Sequence, residues 1–182
     1  MEDLKVVTGN TEQEIWPVIE SDLSAGDILD YHILIRQDNA ETDLYIDIDL
    51  GGGFEGGYEI TQLKASLSIP HDFKFAIHDE DFIDKMGKFF GMQDVETGYP
   101  ELDEHLIIKT NDEERVKLVF ADEEVRQTLT LLNDFDLGIH HVHNGEIQTA
   151  SLEFNINEGI TDAAYLRKIY HAFYKVLTGI GA

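Results

Sequence analysis

Three features of the sequence predict an α+β fold, with a mostly antiparallel sheet covered on one face by helices, including a long C-terminal helix. Apolar and polar residues alternate through Tyr31–Arg36, Leu44–Leu50 and Thr61–Ile69, the period-two signature of strands buried on one side. Asn144-Gly145, set between two further strand-like runs, is the strongest hairpin signal in the chain. Leu166, Ile169, Tyr170, Phe173, Val176, Leu177 and Ile180 recur at helical spacing, a stripe wide enough to cover a sheet. Hairpins give antiparallel pairing, and alternation leaves one sheet face to solvent.

The elements follow in order. Residues 1–30 are read as a poorly packed lead-in, because Pro17 interrupts the one helical stretch, Thr11–Asp22. Residues 31–182 are read as a single α+β domain. Within it, Tyr31, Ile33 and Ile35 mark one strand, Gln37-Asp38-Asn39-Ala40 a turn, and Leu44, Ile46, Ile48 and Leu50 the returning strand. Gly51–Gly57 is a glycine-rich connection to the strand of Thr61, Leu63, Ala65, Leu67 and Ile69, which Pro70 ends. Phe73, Phe75 and Ile77 predict a short strand, and Phe82, Met86 and Phe89 a helix that stops at Gly91. Leu106–Thr110 predicts a strand. Asn111, with Glu114 three residues on, looks like a capping box for the next helix, and Asp122 caps another. The Asn144-Gly145 hairpin joins Leu137–His143 to Glu146–Ile156, and Thr161-Asp162 opens the last helix.

Composition excludes several classes of function. A chain of 182 residues suits one domain with a real core. With 37 acidic against 13 basic residues, the net charge is −24. Nucleic acids and anionic membranes require a basic footprint, so neither is an expected partner. A protein partner or a second copy of the chain fits better. The chain has no cysteine, which removes disulfides, thiolate metal sites and a cysteine nucleophile. The acidic start carries no secretory pattern and no apolar run reaches membrane-spanning length, so a soluble, cytoplasmic protein is expected.

One segment carries a family resemblance. Gln93-Asp94-Val95-Glu96-Thr97-Gly98, Pro100-Glu101-Leu102-Asp103, Leu106-Ile107-Ile108-Lys109 and Asp122-Glu123-Glu124-Val125-Arg126 together resemble a family of uncharacterised bacterial proteins. In that family a comparable segment precedes an acidic-capped helix pair. The resemblance spans roughly residues 30–182 and implies a domain of unknown function. Leu102 stands where an aromatic is usual in the family, and His105 precedes Leu106. Read physically, Gly91–Glu114 is a helix stop, a Gly-Pro turn, a core strand and a helix cap, expected to join two halves of the domain. Its carboxylates, Asp94, Glu96, Glu101, Asp103 and Glu104, match no calcium-loop spacing. They read as a solvated loop in which one carboxylate caps local backbone amides.

The best candidate site is a histidine cluster. With a two-residue turn at Asn144-Gly145, His143 faces Glu146 and His141 faces Gln148, so His141, His143 and Glu146 project together. Two imidazoles and a carboxylate can hold zinc or ferrous iron with open positions, which makes a divalent metal the one cofactor this sequence suggests. A solvated hairpin tip is the preferred reading, because no further ligand from elsewhere is identifiable. Gly51–Gly57 lacks the Lys-Ser/Thr of a phosphate loop, and Tyr58 stands where a calcium loop begun at Asp47 needs a bidentate carboxylate. His71-Asp72 and His78-Asp79 are neighbours on strands, where adjacent side chains diverge. No catalytic set is legible. The sequence therefore points to a non-catalytic binding or assembly domain, with a metal-dependent enzyme or a carrier of small apolar ligands as alternatives.

Overall fold

The computed structural model of the chain describes residues 4–52, 56–68, 72–79, 91–144 and 147–181, and within its strands the side chains of all but residues 142–144, 147 and 148. The predicted fold class holds: a nine-stranded, mostly antiparallel sheet with helices packed on one face. The strands are β1 (Lys5–Gly9), β2 (Asp30–Gln37), β3 (Ala40–Asp49), β4 (Tyr58–Leu67), β5 (Phe75–Asp79), β6 (Gln93–Asp94), β7 (Leu106–Thr110), β8 (Phe135–Asn144) and β9 (Ile147–Ile156). The helices are α1 (Glu12–Leu23), α2 (Pro100–Asp103), α3 (Glu113–Val119), α4 (Glu123–Thr130) and α5 (Ala163–Gly179). Strand order is β1-β2-β3-β4-β9-β8-β5-β7-β6, antiparallel throughout except for the parallel pair β1–β2.

Alternation decides which face is buried. Ile33, Ile35, Leu44, Ile46, Leu63, Leu137, Leu152 and Phe154 point to the helix side and are buried. Along the same strands His32, Arg36, Asp43, Tyr45, Gln62 and Lys64 point the other way and are partly or fully exposed. Asp162 caps α5 by accepting from the Tyr165 N–H at 2.7 Å, and α5 then lays Leu166, Ile169, Tyr170, Phe173, Val176 and Leu177 into the core. Gly138 allows β5 and β8 to close up, since a Cβ there would lie 2.7 Å from the Phe75 carbonyl oxygen.

Four expectations are corrected. The first thirty residues include packed structure rather than a poorly packed lead-in: β1 extends the sheet, and α1 buries Ile15, Trp16 and Ile19. Pro17 lies inside α1 and removes one helical N–H donor, but the helix is held by its buried face and by Trp16 Nε1 donating to the Ala163 carbonyl at 2.9 Å. Asn111 does not cap α3; it bridges Asp72 and Lys74, and Asp112 is the cap. Gly91–Glu114 does not join two halves, because β7 and β6 form the far edge of the sheet. The expected strand residue Leu50 lies beyond β3 and is exposed. The helix expected over Phe82–Phe89 lies outside the described residues.

Candidate functional site

The sheet is not continuous. The β3–β4 ladder runs from Asp49↔Tyr58 to Asp43↔Lys64 and ends there. Yet β3 continues to Ala40, paired with β2 throughout, and β4 continues to Leu67, paired with β9. The two strands part, and a cleft of about 800 Å³ opens between them. Glu41 and Asp43 line the β3 side, Lys64 and Ser66 the β4 side, and Tyr174 and Leu177 of α5 lie beneath.

Local bonding explains the parting. Tyr174 Oη donates to Asp38 Oδ2 at 3.0 Å, and Tyr170 Oη donates to Gln37 Oε1 at 2.9 Å. These bonds hold the β2–β3 turn over α5, where Asp38 adopts the left-handed conformation (φ 51°). Burial pushes both phenols above their ordinary titration range, so they stay neutral donors. β4, in contrast, stays in register with β9 through Ser66↔Ser151.

The alternation of antiparallel hydrogen bonds fixes what faces the gap. Counting from the hairpin pair Gln37↔Ala40, the N–H and C=O of Glu41 point away from β2, toward β4. On β4 the same alternation, counted from Asp43↔Lys64, points the N–H and C=O of Ser66 toward β3. Those groups are not paired with one another, so the cleft has a strand edge on each wall.

Beside the cleft, on the sheet face away from the helices, lies a polar network. Lys64 Nζ meets Glu153 Oε1 at 2.8 Å, and Ser151 Oγ donates to the same oxygen at 2.7 Å. His140 Nε2 lies 3.4 Å from Asp136 Oδ2, which also accepts from Asn155 Nδ2 at 3.3 Å. Asp136 raises the His140 pKa through their hydrogen bond, against the effect of burial, and Glu153 adds to it. Burial alone pushes the Glu153 carboxyl up, but its bonds from Lys64 and Ser151 win and its pKa is lowered. Toward the other end of the face, Tyr45 and Tyr58 both donate to Asp47 Oδ2, at 2.9 and 2.6 Å. The bond to Asp47 pushes the Tyr45 hydroxyl up to about 12.

Of the predicted histidine site, the structure describes His141 and the backbone of His143. His141 is half-buried on β8, opposite Ala150, and His143 lies opposite Gln148. The register is thus two residues away from the one that pairs His143 with Glu146, because Asn144 is the last β8 residue and pairs with Ile147. Glu146 lies outside the described residues, as does the His143 side chain. Among the described residues no group of three or more His, Asp or Glu side chains is arranged to hold a metal. In the Gly-Pro loop, Asp103 accepts from the Thr97 and Gly98 N–H groups, both at 2.8 Å, which is the capping role its sequence suggested. Glu101 pairs with Arg126 and Asp94 with Lys109.

Fold and cleft define an α+β protein with an interrupted antiparallel sheet. No protein-family model, no curated protein and no solved structure matches the chain. Among the described residues no helix is long and apolar enough to cross a membrane.

Proposed function

We propose that the protein is a non-catalytic binding domain whose ligand occupies the cleft between β3 and β4. The observation that carries this reading is the opening itself: two strand edges face each other across about 800 Å³, over an aromatic and aliphatic floor. A concave site with an apolar base and a few convergent polar groups is the usual form of a ligand site. The charged groups around it are engaged with one another. Glu41 pairs with Arg36, Asp43 with His32 and Lys64 with Glu153. This supports recognition rather than acid–base chemistry, which needs a group free to exchange a proton with a substrate.

The absence of cysteine makes the test direct. Ser66→Cys carries a photocrosslinker into the cleft, and Glu104→Cys carries the same probe to an exposed position on another part of the surface. After irradiation in lysate of the producing cells, a species identified by mass spectrometry is expected on residue 66 and not on residue 104. Equal capture at both positions, or none at residue 66, contradicts the reading.

A further inference from the structure

Resting on the reading of the cleft as a binding site, we infer that its ligand is an extended, basic peptide segment of another protein, bound as an additional strand between β3 and β4. Recognition would begin with the backbone. Glu41 and Ser66 direct their N–H and C=O groups into the gap from opposite walls. One extended chain can satisfy both, as in other β-strand additions. Because β3 and β4 are antiparallel, the inserted strand is parallel to one and antiparallel to the other.

The side-chain preference follows from the two faces of the cleft. Successive residues of the inserted strand point alternately to the helix side and to the open side. On the helix side they meet Leu177 and Tyr174, which suit an apolar residue. On the open side they meet Glu41 and Asp43, which are bonded to Arg36 and His32, and Lys64, which is bonded to Glu153. With these local pairs engaged, it is the net charge of −24 on the whole chain that favours a basic residue there. A second copy of this chain is a poor occupant, because each copy carries a net charge of −24 and the two repel. Strand addition supplies affinity that is indifferent to sequence; the alternation of basic and apolar residues supplies the selection.

Fluorescence anisotropy with three labelled heptapeptides tests the inference on the full chain. One alternates lysine and valine, one alternates glutamate and valine, and the third is the lysine–valine peptide N-methylated at alternate backbone amides. The lysine–valine peptide is expected to bind. The glutamate–valine peptide and the N-methylated peptide are each expected to bind at least roughly ten-fold more weakly. Ser66→Trp fills the cleft from an exposed position and is expected to abolish binding with an unchanged circular dichroism spectrum, whereas Glu104→Trp, exposed on another part of the surface, binds as wild type. Equal binding of the N-methylated peptide, or wild-type binding by Ser66→Trp, means charge attraction alone and overturns strand addition. Absence of peptide binding also overturns it. If the crosslinker at residue 66 then captures a ligand of another class, the binding-domain reading stands without this inference; if it captures nothing, both fall.

Discussion

Asp136 is buried on the side of the sheet away from the helices, and its carboxylate is positioned by Asn155 and His140. That pair makes a pH prediction whose sign is fixed. The folded-state pKa of His140 lies above its ordinary 6.5, so folding favours the imidazolium. Its contribution to stability is complete below 6.5 and is lost as pH rises through the folded-state value. Glu153 behaves oppositely: its contribution is present above 4.5 and is lost as pH falls through its lowered value. NMR titration is expected to place His140 above 6.5 in wild type and closer to 6.5 in Asp136→Asn. A wild-type value at or below 6.5 contradicts the assigned geometry. Core residues are simpler. Phe154 is fully buried, with its ring centroid 5.7 Å from that of Phe135, so Phe154→Ala is expected to cost about 3–5 kcal/mol by urea denaturation.

α1 is the element that most clearly separates the structure from the sequence reading. Ile19→Ala is expected to cost about 2–5 kcal/mol, because the side chain is fully enclosed by the core. A poorly packed lead-in would show a change within about 0.5 kcal/mol, as exposed substitutions do, so urea denaturation of this one variant decides between the two. Ile15, Trp16, Ile19 and Leu23 already form a helical stripe in the sequence, but Pro17 argues against a helix locally, and only tertiary packing outweighs it. The strands β2, β3, β4, β8 and β9 and the helix α5 were legible because each is long, periodic and half-buried. The β8–β9 register was not, because Asn144-Gly145 marks a turn without fixing which residue closes it. With Gln148 rather than Glu146 opposite His143, zinc calorimetry is expected to give the same flat heats for wild type and for His141→Ala/His143→Ala. Binding in wild type alone would restore the metal site. The cleft was not legible either: Glu41, Thr42 and Asp43 are all polar, and the alternation that runs through Leu67 on β4 reports which face a residue takes, not which strand pairs with it.

At the scale of the whole molecule, the excess of carboxylates is the dominant long-range force. A net charge of −24 on 182 residues opposes compaction, and salt screens that repulsion over about 10 Å at 0.1 M. The melting temperature is therefore expected to rise as sodium chloride is added, followed by differential scanning calorimetry; a flat or falling curve would show that the surface pairs matter more. By the same physics, a field of this sign opposes association between copies and favours a basic ligand for the proposed cleft. Such attraction becomes specific where the sheet offers unpaired backbone, and the edges beyond Asp43↔Lys64 are the ones that face each other across the cleft. Residue-resolved amide hydrogen exchange on the free protein tests this most directly. The Asp43 and Lys64 amides, bonded across the ladder, are predicted to be protected, and those of Glu41 and Ser66, facing the gap, to exchange much faster. Equal protection at all four would mean that β3 and β4 close, that no cleft exists, and that the binding site placed there is wrong.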